Sequence, residues 1–258
     1  MSVQGSEGHV AIAQGAAAAS LGGVSKTFGR GEHAVLAIDN VTLDVGFGEF
    51  LCLVGASGCG KSTILNLVAG LENPTSGTVE VRGGRTALMF QDAALFPWLT
   101  VGRNIELALR LRGVERRHWG ETRDALLDLA HLSGLAHKRP HELSGGMRQR
   151  AALARSLAQQ AEILLMDEPF GALDAMTRDR LHDELERLWR DTGLSVVFVT
   201  HNVREAVRLG DRVILLSSSP GRIAEEFFVD IPRPRRIDSP EVSALAARIT
   251  DSLRFESA

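Results

Sequence analysis

The sequence predicts an α/β fold with a parallel sheet core, an N-terminal antiparallel β subdomain and an inserted α-helical subdomain. A strand without a polar face, residues 50–54, runs into a glycine-rich turn and then into a helix. Strand and helix patterns alternate again from residue 163 onwards, which is typical of a parallel sheet covered on both faces. Between these regions, residues 101–160 lose the strand pattern and keep a helical apolar period, which predicts the insertion.

Length and composition exclude several classes of protein. The 258 residues, 44% hydrophobic and 24% charged, suffice for one compact α/β domain with an inserted subdomain. The formal net charge of −3 gives no basic field that would concentrate the protein on nucleic acid. The apolar runs are far shorter than the ~20 residues that cross a bilayer. We therefore expect a globular protein that binds no nucleic acid and forms no channel by itself.

The N-terminal region divides at about residue 20. Residues 1–20 are rich in Ala, Gly, Ser and Gln and lack the cationic start and apolar stretch of a signal peptide, so we expect a disordered leader. Residues 24–48 alternate apolar and polar positions between glycines, as short antiparallel strands do. The main domain is expected over residues 21–230, with its helical subdomain over about 92–160.

The C-terminal segment, residues 231–258, begins with a Pro/Arg-rich stretch and ends in one amphipathic helix near residues 242–253. Three arginines within residues 233–236 would suit contact with anionic lipid, but such a short charge run is more often a solvated tail. We expect the latter.

The glycine-rich turn after the first buried strand matches the pattern G-x-x-x-x-G-K-[ST], which predicts a P-loop (RecA-like) core. Glycines let backbone N–H groups converge on phosphate oxygens, and the helix N-terminus adds the positive end of its dipole. Lys61 would bring charge to the β- and γ-phosphates, and Ser62 an oxygen ligand for Mg²⁺. The residues expected to bind ATP in this loop are Gly55, Ala56, Ser57, Gly58, Cys59, Gly60, Lys61, Ser62 and Thr63.

Three further strand ends carry polar residues suited to hydrolysis. A strand over residues 163–166 ends in Asp167, expected beside Mg²⁺ with Ser62, and Glu168, expected to act as general base on water. His201 follows another buried strand and is expected to contact the γ-phosphate and the attacking water. Gln91 also follows a strand, and its amide would reach Mg²⁺ or water. The expected catalytic residues are Glu168, His201 and Lys61, with Ser62, Gln91 and Asp167 at the metal.

Residues 143–147, Leu-Ser-Gly-Gly-Met, complete a set of motifs that resembles the ATP-binding subunit of ABC transporters over about residues 24–222. The resemblance implies a head-to-tail homodimer in which this signature loop closes over ATP held by the P-loop of the other copy. A serine and glycine amides at a helix start form an anion site. The residues expected to reach the partner's ATP are Ser144, Gly145, Gly146 and Asp174.

The resemblance also assigns Phe28 as the aromatic that stacks on adenine, in a chain that has no Tyr. Two positions depart from the family pattern. Met147 replaces the usual Gln of the signature loop, and Gly171 stands where Ser is common, so neither position offers the polar side chain of the family pattern. The cysteine in the P-loop, Cys59, is expected to react with a maleimide and to be protected by ATP.

The runs around residues 90–99, 143–150 and 219–223 look most like the nitrate, sulfonate and taurine importer group. This implies a peripheral subunit on the cytoplasmic face of the membrane, working with a separate permease and an extracytoplasmic solute-binding protein. Exposed Phe96, Pro97 and Trp98 would dock a permease loop or form a satellite hydrophobic cluster. The alternatives are the ATPase of an ABC exporter or envelope-assembly system, a soluble ABC ATPase of DNA repair and a P-loop kinase.

Overall fold

The computed structural model describes residues 17–82, 84–171 and 173–256. Residues 1–16 of the expected leader and Ala172 lie outside this range, as do the last two residues. The predicted fold class is confirmed, since an antiparallel sheet, a mostly parallel core sheet and a helical subdomain are all present. None of the helices among the described residues has the length and hydropathy required to span a membrane.

An antiparallel sheet of three strands forms the N-terminal subdomain, in the order β2-β1-β4. Its strands are β1 (Ala17–Phe28), β2 (Val35–Gly46) and β4 (Ser76–Val81). Strand β1 starts at Ala17, so the leader expected to reach residue 20 is too long by at least four residues. The small side chains of Ala18 and Ala19 are fully buried, which explains why an alanine-rich stretch belongs to this strand.

The core sheet has six strands in the order β5-β6-β7-β3-β8-β9. The first five are parallel to their neighbours, and β9 pairs antiparallel with β8 at the edge. Because the central strands are buried on both faces, they consist almost wholly of apolar residues. The strands are β3 (Phe50–Gly55), β5 (Thr86–Met89), β6 (Ile163–Asp167), β7 (Ser195–Val199), β8 (Arg212–Leu216) and β9 (Ile223–Phe228).

Helices cover both faces of this sheet. On one face, α1 (Lys61–Val68) and the antiparallel sheet close a core with alternate residues such as Leu51 and Leu53. On the other face, Phe50, Cys52 and Val54 of the same strand meet a second core. Its helices are α4 (Gly145–Leu157), α5 (Ala175–Thr192), α6 (Val203–Leu209) and α7 (Pro240–Glu256).

The helical subdomain consists of α2 (Val101–Arg112), α3 (Trp119–Leu129) and α4 around a core of its own. Helix α2 starts at an N-cap, Thr100, whose side chain accepts a hydrogen bond from Arg103 N, and ends at Gly113 in the left-handed region. Helix α4 belongs to two cores at once, because it also packs on strand β5. It therefore joins the subdomain to the main sheet.

The C-terminal segment differs from the expected solvated tail. Arg235 is 6% exposed and donates to the carbonyl oxygens of Val207 and Val229, while Arg233 stacks over Trp189 with its Cζ 4.4 Å from the ring centroid. Only Arg236 of the three arginines is exposed and paired with an exposed carboxylate, Asp238. Arg235 is buried because carbonyl oxygens near the end of α6 accept its hydrogen bonds.

Candidate functional site

The phosphate loop connects β3 to α1 at the carboxyl edge of the core sheet. Gly60, the N-cap of α1, has a φ of 92°, and a Cβ there would lie 2.3 Å from Ile38 Cγ2. Only glycine fits this position. The Lys61 side chain is 7% exposed, and its Nζ donates to the carbonyl oxygens of Gly55 and Ala56, each at 2.8 Å. The loop thus holds a buried ammonium group at the start of a helix, where an anion is favoured.

Cys59 contributes its backbone to this loop and not an accessible thiol. Its side chain is fully buried in the core beside Ile64 and Leu216, with Sγ 3.5 Å from Lys61 Nζ. The expectation that a maleimide would label this cysteine directly is therefore wrong for the structure as it stands, because a reagent cannot reach a thiol with no exposed surface.

Ser62 and Asp167 meet next to the phosphate loop. The Ser62 side chain lies close enough to the Asp167 carboxylate, at the end of β6, to influence its pKa. Burial raises the pKa of Asp167, while the Ser62 hydroxyl and the charge of Lys61 act in the opposite direction. A hydroxyl and a partly buried carboxylate are hard oxygen donors, which is the chemistry that Mg²⁺ prefers, so these two residues fit a magnesium site.

Glu168 is the centre of a second polar group at the same edge. Its Oε2 lies 3.2 Å from His201 Nδ1 and 3.5 Å from Gln91 Nε2. The three residues follow three adjacent strands, β7, β6 and β5, whose carboxyl ends meet at this edge. Glu168 has a φ of 44°, a left-handed conformation that is unusual for a residue with a side chain and is found at functional sites.

The loop that carries Gln91 is fastened to helix α4 by two residues that the sequence analysis did not single out. Gln149 Nε2 donates to the backbone carbonyl of Gln91, and Arg155 Nη1 donates to that of Ala94 at 2.6 Å. Burial lowers the pKa of Arg155. The sequence could have indicated Gln149, because the helical period places it on the buried face of α4 with Ala152.

The signature loop leads directly into α4. Ser144 is the N-cap, and its Oγ accepts a hydrogen bond from Met147 N at 3.2 Å. Helix α4 begins at Gly145, so Gly145 and Gly146 both lie in its first turn with their backbone N–H groups at the positive end. Met147 packs partly against the core of the helical subdomain, which accounts for an apolar residue there.

Asp174 and Phe28 both lie at the surface. Asp174 caps helix α5 by accepting a hydrogen bond from Thr177 N at 3.0 Å, and the Thr177 side chain and backbone hydrogen bonds lower the pKa of this aspartate. Phe28 at the end of β1 is 40% exposed, with Lys26 Nζ 4.9 Å from its ring centroid. An exposed aromatic face beside a cation offers a surface for a planar, anionic ligand.

The predicted residues thus form two groups within one chain. Lys61, Ser62 and Asp167 surround the phosphate loop, whereas Gln91, Glu168 and His201 line a cleft of about 390 Å³. Gly145 and Arg148 also line that cleft. Among the described residues, no hydrogen bond joins Ser144 or Asp174 to the phosphate loop, and each of the two side chains caps a helix instead.

The chain is similar to several known proteins. The family model described as "ABC transporter" matches residues 38–171. The chain is 44% identical to the nitrate import ATP-binding protein NrtD of Synechocystis sp., covering 81% of each protein. It is 47% identical to the aliphatic sulfonates import ATP-binding protein SsuB 1 of Burkholderia lata, covering 90% of this chain and 70% of the relative. It also resembles the dimeric, post-hydrolysis structure of the ATP-binding cassette MJ0796 bound to ADP and Pi (TM-score 0.76, 33% identity, 83% of this chain and 100% of that chain).

Proposed function

The chain belongs to the ABC transporter family of ATP-binding proteins, and we propose that it hydrolyses ATP as the energy-coupling subunit of an importer for a small oxoanion, an aliphatic sulfonate, taurine or nitrate. The similarity to the two import proteins supports the direction of transport and the class of solute. The proposed chemistry rests on one observation: Gln91 and His201, which follow two different strands, both contact Oε2 of Glu168, which follows a third.

Each of these groups has a separate task in hydrolysis. Lys61 and the amides of the phosphate loop bind the β- and γ-phosphates and hold them against the helix start. Glu168 accepts the proton of the attacking water, and its left-handed backbone aims the carboxylate into the cleft. His201 and Gln91 fix the orientation of Glu168 through its Oε2 atom. Positioning and electrostatics thus account for the reaction without a covalent intermediate.

Magnesium would be held by Ser62 and Asp167, with the Gln91 amide oxygen as a further ligand. The influence of the Ser62 side chain on the pKa of Asp167 supports a shared role for the two groups at one ion. Bound there, Mg²⁺ would supply positive charge that offsets the negative charge of the phosphates. Asp167 and Glu168 are adjacent in sequence but distinct in role, because Asp167 contacts the phosphate loop and Glu168 lines the cleft.

The complete site requires two copies of the chain. The backbone amides of Gly145 and Gly146 and the Ser144 hydroxyl form an exposed anion site that carries no lysine of its own. A head-to-tail homodimer would place this site, and Asp174, over the ATP bound to the partner's P-loop. The dimeric form of the similar cassette MJ0796 supports this assembly. ATP then joins the two copies, and loss of the γ-phosphate lets them separate.

A groove between the core sheet and the helical subdomain offers a docking surface for the permease. It holds about 560 Å³ and contains apolar residues with arginines among them: Leu71, Leu88, Phe90, Phe96, Leu107, Leu111, Arg85, Arg112 and Arg155. Trp98, 69% exposed, packs on Phe96 beside this groove, with the ring centroids 5.6 Å apart. We assign the protein to the cytoplasmic face of the membrane as a peripheral subunit, with a solute-binding protein outside.

Replacement of Glu168 tests the catalytic assignment. Glu168→Gln removes the proton acceptor but keeps the size of the side chain, so we expect ATP-dependent dimers that accumulate and hydrolysis reduced by about 10²-fold or more. Phosphate release and size-exclusion chromatography with ATP measure the two effects. Glu121→Gln, on exposed helix α3, is the matched control and should behave as the unaltered protein. Hydrolysis by Glu168→Gln at the normal rate would refute the assigned role.

The class of solute is tested separately in the source cells. Deletion of the gene should abolish growth on an aliphatic sulfonate as sole sulfur source or on nitrate as sole nitrogen source. A plasmid copy with intact Glu168 should restore it. Unimpaired growth of the deletion strain on each of these nutrients would contradict the proposed importer, whatever the ATPase result.

A further inference from the structure

Three polar side chains lie buried directly behind the loop that carries His201. Thr200, Glu205 and His182 are 3%, 5% and 0% exposed. Glu205 accepts from both neighbours: its Oε1 lies 2.6 Å from His182 Nε2, and its Oε2 hydrogen-bonds the Thr200 hydroxyl. The chain of contacts runs from helix α5 through helix α6 to the end of strand β7. Neither His182 nor Glu205 has been used by the mechanism above.

Burying such a network of polar side chains costs free energy. A carboxylate and an imidazole removed from water lose hydration that a single hydrogen bond only partly replaces. The ring of His182 is enclosed, with Phe170 in edge contact at 5.2 Å and Nδ1 4.0 Å from Asp179 Oδ1. Apolar residues would fill this space without that cost, so the polar contacts fix positions that apolar packing would leave less defined.

The network holds the backbone on both sides of His201. On one side, Thr200 Oγ1 donates to Glu205 and accepts from Asn202 N at 3.0 Å. On the other, Asn202 Oδ1 accepts from Glu205 N at 3.3 Å, which caps helix α6. The His201 side chain itself is 68% exposed and contacts Glu168 Oε2. Its position is therefore set by the backbone that this network anchors.

The same network touches the loop that carries Glu168. Phe170, two residues after the general base, packs on both His182 and Phe198 of strand β7. The small cavity of about 30 Å³ behind His201 is lined by Glu168, Phe170, Thr200 and Glu205 together. A shift of His182 or Glu205 would therefore move His201 relative to Glu168, and a misplacement of about 1 Å in a catalytic group can lower the rate by about 10²-fold.

We propose that Thr200, Glu205 and His182 are positioning residues for ATP hydrolysis, which act through His201 by holding its loop at hydrogen-bond distance from Glu168. The proposal rests on the role given to His201 under the proposed function. It assigns no direct contact with ATP to any of the three residues, because all are buried. Their loss should lower kcat and leave the KM for ATP almost unchanged.

Replacement of the Thr200 hydroxyl tests this directly. Thr200→Val keeps the shape of the side chain but removes the donor to Glu205 and the acceptor for Asn202 N, and we expect kcat to fall by about tenfold or more with KM within about threefold. Thr200→Ser restores the hydroxyl and should restore kcat to within about twofold. Thr192→Val, which removes a hydroxyl bonded within helix α5, is the matched control.

A double-mutant cycle distinguishes positioning from general destabilisation. If Thr200 acts through His201, Thr200→Val in a His201→Ala background causes no further loss of kcat, whereas independent effects would multiply. Thr200→Val with an unchanged kcat, or with its full loss retained in the His201→Ala background, would overturn the proposal. A normal rate for His201→Ala alone would instead overturn the role of His201, so the two failures are distinguishable.

A second pair of variants covers the case in which Thr200→Val fails to fold. His182→Gln keeps a donor that reaches Glu205, whereas His182→Phe keeps the ring and its contact with Phe170 but removes the donor. We expect kcat near the unaltered value for Gln and a loss of about tenfold for Phe, again without a matching change in KM. Equal rates for the two variants would contradict the proposal.

Discussion

At the scale of single residues, the phosphate loop shows how little room the backbone has at Gly60. This residue has a φ of 92°, and the space for a Cβ is already occupied by Ile38 Cγ2 at 2.3 Å. Gly58 has a comparable φ of 80° but no heavy atom within 4 Å of a Cβ. A side chain at either position would strain the backbone, but only a side chain at Gly60 would also overlap a neighbouring atom. Comparing the two positions therefore separates backbone strain from steric overlap.

Alanine at each position measures this difference. Gly58→Ala should lower the free energy of unfolding by about 1–2 kcal/mol through the left-handed backbone alone. Gly60→Ala should lose about 1–3 kcal/mol more, because Ile38 and the start of α1 must shift. Urea unfolding without ATP gives both values. Equal losses for the two variants would show that Ile38 yields without cost.

The residues that sequence could predict are those whose chemistry is local. Lys61, Asp167 and Glu168 lie next to glycines or at a strand end, and this local pattern indicates the roles proposed for them. His182 and Glu205 lie 23 positions apart on different helices, and only the fold brings them within 2.6 Å. The burial of Cys59 could not be predicted either, since its depth depends on residues of another strand and helix.

At the scale of elements, the C-terminal segment supports the helix that follows His201. Arg235 donates to carbonyl oxygens at the end of α6 and to Val229 and Ile231 in its own segment. Burial, and then the nearby charge of Arg233, lowers the pKa of Arg235 to about 10, so this guanidinium remains charged at neutral pH. Its positive charge at a helix C-terminus is favourable.

Removal of Arg235 should therefore destabilise the protein strongly. Arg235→Met keeps most of the volume but leaves buried carbonyl oxygens without donors, and we expect a loss of about 2–4 kcal/mol in the free energy of unfolding. Arg236→Met, one residue away and exposed, should leave the free energy of unfolding almost unchanged. Chemical denaturation of both variants measures the contrast, and similar losses would mean that the buried hydrogen bonds do not stabilise the fold.

Elements were predictable where the apolar pattern was strong. The parallel strands and helices α1 and α5 follow from their periodicity, whereas β9 and the short helix α6 were missed. Strand β9 places Glu225 and Glu226 on an exposed edge, where charges are tolerated and obscure the strand pattern. The arginines of residues 233–236 predicted a solvated tail, because a run of charges is usually exposed. The sequence did not reveal the carbonyl oxygens that accept hydrogen bonds from Arg235.

At the scale of the whole molecule, the proposed head-to-tail dimer makes a prediction about mixtures. Lys61→Ala and Ser144→Arg should each be inactive alone, one through its P-loop and the other through its signature loop. Mixed in equal amounts, they should regain up to about a quarter of the normal ATPase rate, because half of the dimers then contain one intact composite site. Phosphate release from the mixture measures this.

Two controls accompany the mixture. Each variant at the total concentration of the mixture should remain inactive, which excludes an effect of concentration alone. The unaltered protein should hydrolyse ATP faster per chain as its concentration rises, since the site is completed by association. A mixture as inactive as its components would contradict a site shared between chains.

The fluorescence of Trp98 can report on binding of a partner at the groove beside Phe96. The chain has three tryptophans and no tyrosine, and Trp189 lies under Arg233 while Trp119 Nε1 donates to Val114 O at 2.8 Å. With Trp119→Phe and Trp189→Phe, the fluorescence of a single exposed indole would remain. Its emission should move to shorter wavelength, and acrylamide should quench it less, when a membrane partner covers the groove beside Phe96.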